Sequence, residues 1–260
     1  MAHQAHDLAS FYHLPEGSLG GMHCQGTACF AARANDPSGW QTALSQESRL
    51  YCLGKCYAAP ATSANKTRPM IAIHSKQAVL LERVANGDEP SLAAYGRYAA
   101  LEQALQRTPH SIIDSVEQSG LRGRGGAGFP TGRKWRAVAA QSHQQKFIVV
   151  NADEGDPGAF SDRFLLEEDP HRLIEAMLIA AYAVGAQRGV IYLRKEYPLA
   201  QIALQQALEE ARAAGLLGKQ ILGGALAFDI ELVMGQGSYV CGEETALLNS
   251  IEGKRAEVRG

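Results

Sequence analysis

Between Phe147 and Met234 short apolar runs alternate with longer amphipathic stretches that glycine closes. Phe147 to Asn151, Gly189 to Leu193 and Phe228 to Met234 read as buried strands. Asp169 and Pro170 make a cap and first-turn pair for a helix to about Val184, ended by Gly185, and Pro198 to Ala214 is a second amphipathic helix ended by Gly215. Alternation of this kind predicts an α/β fold with a largely parallel sheet. Its ligand site should lie at the carboxyl ends of the strands.

The 260 residues, 46% of them hydrophobic, suffice for one large domain or two modest ones. Ala85 to Pro90 has the composition of a linker, which divides the chain into residues 1–87 and 88–260. The first part holds a strand-like run, Pro69 to His74, and the second opens with helical patterns at Ser91 to Arg107 and Ser111 to Ser119. No internal repeat is visible.

Lysine and arginine (25) nearly balance aspartate and glutamate (27), so no strong field draws the chain to nucleic acid or to an anionic membrane. The most apolar stretch, Leu173 to Leu193, contains Glu175, Gln187 and Arg188, which suits a core helix and strand rather than a direct membrane span. Met1 to Ser10 has no secretory pattern, and the expected location is the cytoplasm. The histidines, His171 after Pro170 among them, read as scattered surface or turn residues.

Three loops carry candidate chemistry. Gly120-Leu-Arg-Gly-Arg-Gly-Gly-Ala-Gly-Phe-Pro-Thr-Gly-Arg-Lys134 precedes a helix-like run, Lys134 to Ala140, and its glycines let backbone N–H groups approach a phosphate at a helix start. It lacks the Gly-Lys-Ser/Thr of a Walker A loop, and a flexible surface loop has the same composition. Asn151-Ala-Asp-Glu-Gly-Asp-Pro-Gly158 leaves the end of a strand, where ligands bind, although such residues also make plain turns. Gly235-Gln-Gly-Ser-Tyr-Val-Cys-Gly-Glu-Glu-Thr245 follows another strand and opens a helix to about Glu252, placing Glu243 and Glu244 in its first turn for ligand binding or for capping.

Together these three motifs resemble the 51-kDa flavoprotein subunit of respiratory complex I, a family that includes diaphorase subunits of NAD-reducing hydrogenases and NAD-dependent formate dehydrogenases. The resemblance covers about Ser111 to Gly260. It implies an FMN- and NADH-binding domain in which Gly123, Arg124, Gly125 and Gly126 lie at the flavin mononucleotide, Lys134 at its phosphate, and Phe129 on the adenine of NADH. Asn151, Asp153 and Glu154 would hold the polar groups of the flavin. Asp156 stands where many relatives have glutamate at the nucleotide ribose. Tyr239, Gly242, Glu243 and Glu244 match the motif beside flavin and nicotinamide, whereas Ala137 replaces an aromatic residue of some relatives. The implied reaction is hydride transfer from NADH to FMN, with electrons passed on to iron-sulfur clusters and no side chain needed as a catalytic acid or base.

Four of the five cysteines form two tight pairs, Cys24 with Cys29 and Cys52 with Cys56. Four thiolates suit a 2Fe-2S cluster or zinc, and the spacing leaves the choice open. The pairs resemble those of the thioredoxin-like ferredoxin that accompanies or is fused to this family, which favours 2Fe-2S in residues 1–87, with a shortened interval and no N-terminal helical region. Cys241 reads as a small packed residue.

Relatives continue past the position of Gly260 into a region that helps bind a 4Fe-4S cluster, so the chain is expected to be a fragment of a longer protein. Expected partners are NADH and the iron-sulfur subunits of a complex I-like, hydrogenase or formate dehydrogenase assembly, which could also hold the chain at the inner membrane. The alternative is a cluster-bearing electron-transfer or assembly fragment without a competent flavin site.

Overall fold

The computed structural model describes residues 23–24, 27–35, 49–50, 59, 79–156 and 159–260. The chain divides into two compact units, residues 1–87 with 195–201, and residues 88–194 with 202–260.

In the first unit, strand β1 (His23–Cys24) pairs in parallel with β2 (Arg49–Leu50), with Cys24 opposite Leu50. Helix α1 (Thr27–Ala34) follows β1 and buries Cys29, and α2 (Glu82–Asn86) ends on Gly87 at φ 73°. The run Pro69 to His74 and the cysteines Cys52 and Cys56 lie outside the described residues.

The second unit opens with α3 (Leu92–Tyr95) and α4 (Ala99–Leu105), two helices where the sequence suggests one, because Gly96 at φ 84° and ψ −135° breaks the run. Helix α5 (Pro109–Gln118) starts at Thr108, whose Oγ1 accepts from the Ser111 N–H, with Pro109 in the first turn, where no partner for its nitrogen is needed. There follow α6 (Thr131–Ala139), β3 (Phe147–Ala152), α7 (Ser161–Glu168), α8 (Pro170–Val184), β4 (Arg188–Leu193), α9 (Pro198–Ala213), β5 (Asp229–Met234) and α10 (Glu244–Ile251).

The three strands form a parallel sheet in the order β3-β4-β5, as the alternation predicts. Ala152 stands opposite Leu193, and Leu193 opposite Met234, so all three strands run out at one edge. Central β4 is buried along Gly189–Leu193, which is why it reads as an unbroken apolar run. Phe228, Met177 and Ile230 press on Gly189, where a Cβ would come within 2.7–3.0 Å of them. Beyond the sheet, Ile112 and Ile113 of α5 pack with Ala183 of α8 and Trp135 of α6, while Tyr192 and Val233 meet Cys241, Leu247 and Ile251.

Helix α8 is largely apolar, yet it carries two buried titratable residues. Glu175 accepts from the Tyr95 hydroxyl (2.5 Å) and the Leu101 N–H (3.0 Å), so its carboxylate is satisfied from α3 and α4. His171, read from sequence as a surface residue, is only 1% exposed, set between the Tyr98 hydroxyl (2.8 Å) and Glu210 (3.1 Å). Burial, then the Glu175 hydrogen bond, pushes the Tyr95 hydroxyl well above its ordinary range. Asp169 differs from its expected role: its carboxylate pairs with Arg172 at 2.6 Å instead of capping α8. Among the described residues no helix is long and apolar enough to cross a membrane.

Gly189→Ala is expected to destabilise the chain by about 1–3 kcal/mol, the usual cost of an added methyl group in a filled core. Urea unfolding of the two proteins measures it.

Candidate functional site

The glycine-rich segment is a loop with a closed neck. Gly123 N–H donates to Phe129 O (2.9 Å), Thr131 N–H to Leu121 O (2.9 Å) and the Arg122 guanidinium to Gly128 O (3.0 Å). Within that neck the N–H groups of Arg124, Gly125, Gly126, Ala127 and Gly128 have no acceptor among the described residues. Gly126 (φ 110°) and Gly128 (φ 60°) adopt backbone conformations that other residues rarely take, and a Cβ on Gly125 or Gly126 would meet nothing within 4 Å. The loop thus presents a row of open donors, flanked by the exposed side chains of Arg124 and Arg133, which also have no acceptor among the described residues.

Gly132 does something else. It is buried, and a Cβ there would come within 2.5 Å of the Glu117 backbone, so this glycine lets α6 lie directly on α5. Arg136 fastens the same contact through Asp114 (2.7 Å) and Glu117. These hydrogen bonds hold the Arg136 guanidinium above, and the Asp114 carboxyl below, its ordinary range.

The other two loops leave the carboxyl ends of β3 and β5. Asn151 Nδ2 donates to Gly242 O (2.8 Å), Tyr239 OH donates to Asp156 Oδ1 (2.6 Å), and Lys134 Nζ on α6 lies 3.3 Å from Glu244 Oε2. These bonds bring the three sequence motifs together. Gly155 lies under the Tyr239 ring, where a Cβ would stand 3.0 Å from the ring edge, and Gly242 approaches Asp153 O. The Asp156 hydrogen bond, then its charge, raises the pKa of the Tyr239 hydroxyl.

Several carboxylates have structural duties. Glu154 accepts from Ser161 Oγ and from the N–H groups of Asp162 and Arg163, so it caps α7 from outside. Glu243 caps α10, accepting from Thr245 Oγ1 (2.6 Å) and from the N–H groups of Ala246 and Thr245, bonds that keep its carboxyl below the ordinary range. Asp153 is nearly buried, Phe129 is half exposed, and Glu244 is the more open acid.

The site fits a phosphate-bearing ligand. Unpartnered N–H donors, two arginines and a lysine are the donor set that a phosphate monoester requires. For the cysteines the described residues decide less: the side chain of Cys29 is buried, and among the described residues no group of three His, Cys, Asp or Glu is placed for a metal. Sequence reading passed over Arg133, despite its place beside Lys134, and Arg194, whose guanidinium donates to Glu154 O. The clue to Arg194 is its position directly after a buried strand.

Residues 116–260 match the family described as the Nuo51 FMN-binding domain. Subunit HndC of the NADP-reducing hydrogenase of Solidesulfovibrio fructosivorans is 56% identical over 62% of this chain and 32% of its own length. A subunit of the NADH-quinone oxidoreductase of Aquifex aeolicus is 47% identical over 74% of this chain and 45% of its own length. The chain therefore spans less than half the length of these relatives. A crystal structure of an NAD+-reducing NiFe hydrogenase in its air-oxidized state aligns over 99% of this chain and 50% of the matched chain, at 27% identity and a TM-score of 0.59.

Because the folded pKa of Glu243 lies below its ordinary value of 4.5, the stability its charge contributes is present above pH 4.5 and is lost as pH falls through the folded value. Glu243→Gln should therefore lower Tm at pH 7, with the gap to wild type closing as the pH is taken below 4.5. Thermal melts across that range check it.

Proposed function

The chain belongs to the Nuo51 FMN-binding domain family, and on that footing we propose that it forms the flavin and nucleotide site of an NADH-oxidising electron-transfer subunit. The observation that carries this reading is the meeting of three loops through Lys134–Glu244, Asn151–Gly242 and Tyr239–Asp156 at the edge where the strands end. Ligands of open α/β sheets bind at such an edge.

When bound there, FMN would supply the capacity to take hydride from a nicotinamide and release electrons singly. The N–H groups of Arg124, Gly125 and Gly126, with Gly123 at the neck and Lys134 behind, hold the phosphate end. Phe129, half exposed beside them, offers a face for the adenine. Asp153 lines the flavin side, while Asn151, Glu154, Gly242 and Glu243 fix the loops that form its walls. Tyr239 and Glu244 border the nicotinamide. Asp156 contacts the nucleotide ribose only by sharing its carboxylate with Tyr239, since the two are already bonded. The chain's task is orientation and exclusion of water, and no side chain has to move a proton.

Electrons would leave through iron-sulfur clusters. Cys24, Cys29, Cys52 and Cys56 are proposed as ligands of a 2Fe-2S cluster, a reading supported by the β1–β2 pairing, which sets Cys24 against Leu50, two positions before Cys52 in sequence. The partners would be iron-sulfur subunits of a complex I-like, hydrogenase or formate dehydrogenase assembly in the cytoplasm or at the inner membrane.

Two outcomes test the proposal. Anaerobic addition of NADH to the chain reconstituted with FMN should bleach the flavin band; a chain that retains flavin and stays unbleached contradicts the hydride-transfer reading. Chain purified anaerobically should carry iron with the absorption of a 2Fe-2S cluster, and Cys52→Ser should lose it. Iron content unchanged by that substitution removes Cys52 from the ligand set.

A further inference from the structure

Among the elements that end at the site, the central strand contributes a cation whose role neither the motifs nor the family match assigns. Arg194 is the first residue after β4. Its N–H donates to Ala152 O (3.2 Å), extending the β3–β4 ladder by one step. Its guanidinium Nη1 donates to the main-chain carbonyl of Glu154. Glu154 is thereby held at two points, its carboxylate by the start of α7 and its carbonyl by Arg194. We propose that Arg194 is the positioning residue of the flavin site, a half-buried cation that fixes the path of the acidic loop Asp153–Asp156 across the end of the sheet.

Three arguments support the assignment. A peptide plane has one free orientation once its neighbours are set, so a donor on Glu154 O also fixes where the Gly155 N–H points, and in a trans peptide that is away from Arg194. That N–H has no acceptor among the described residues, which leaves it as a donor for a ligand. Gly155 in turn carries the Tyr239 ring, and Tyr239 bonds Asp156, so a shift at Glu154 would spread to both outer loops. A planar guanidinium suits a fixed carbonyl better than a mobile ammonium does.

This inference rests on the flavin reading for its effect on ligand, but not for the clamp itself. The experiment is therefore run on the full chain with and without FMN, comparing wild type, Arg194→Met and Arg194→Lys. Without FMN, amide hydrogen exchange should accelerate in R194M across Asp153–Arg163 while α5 and β4 keep wild-type protection, and R194K should restore part of the protection. With FMN, R194M should bind about tenfold more weakly, the scale of one charge-assisted hydrogen bond. Loss of the cation should also lower the midpoint potential of the flavin, because reduced flavin gains negative charge, whereas R194K should stay near wild type. Unchanged exchange over Asp153–Arg163 in R194M overturns the clamp, whatever FMN does. If wild type takes up no FMN, the functional reading fails while the exchange result still decides the clamp. Should R194M not fold, Arg194→Ala, which also removes both the donor and the charge, takes its place in the same comparison.

Discussion

The in-register parallel pairing of β3, β4 and β5 fixes where chemistry can occur in this chain. Because Ala152, Leu193 and Met234 stand side by side, the segments that follow them emerge at one edge and run as neighbours. Their main chains stay linked past the strands, through Arg194 N–H to Ala152 O and Gly235 N–H to Leu193 O (2.7 Å). A shift of one residue in either pairing would turn Asn151 and Tyr192 to the opposite face and break the contacts that join the loops. The glycine-rich loop arrives from outside the sheet, and its place depends on α6 lying on α5, which Gly132 permits and Arg136 secures.

Electrostatics at this edge divide into settled and open charges. Glu154 and Glu243 are committed to helix starts, and Asp156 to Tyr239, so these acids hold the loops in place. The open groups are mainly cations and main-chain donors: Arg124, Arg133 and the loop N–H groups, with Lys134 shared with Glu244. A site with its acids satisfied internally and its donors exposed is prepared for an anion. On the proposed reading, a phosphate is held by the local donor set, and the nearly balanced net charge of −2 does not oppose it.

The sheet was legible in the sequence because its signals are local. Phe147, Gly189 and Phe228 opened apolar runs that fall within a residue of the observed strands, and Gly185 marked a helix end with a left-handed turn. The individual loops were legible by composition, but their partners were not: Lys134 and Glu244 are 110 residues apart, Asn151 and Gly242 are 91. No periodicity spans such intervals: the placement of the loops at strand ends and the family resemblance suggested that they converge, but neither named the residues that join them. His171 misled because a lone histidine after proline has the same appearance in a turn and in a core. Gly132 misled for a related reason, since a glycine that admits a helix backbone and one that admits a phosphate look alike until the neighbour is known.

If the glycine-rich loop and Lys134 form a phosphate cradle on a flavin site, the phosphate is the part of the ligand that distinguishes it from general ring binding. The direct measurement is a pair of fluorescence-quenching titrations of the chain, one with FMN and one with riboflavin, which shares the ring and lacks the phosphate. A cradle gives saturable FMN binding that weakens as salt is raised, and riboflavin binding weaker by at least about tenfold, the loss of one or more charge-assisted hydrogen bonds. Equal affinity for the two, with no dependence on salt, would contradict the cradle and leave the loop without its assigned role.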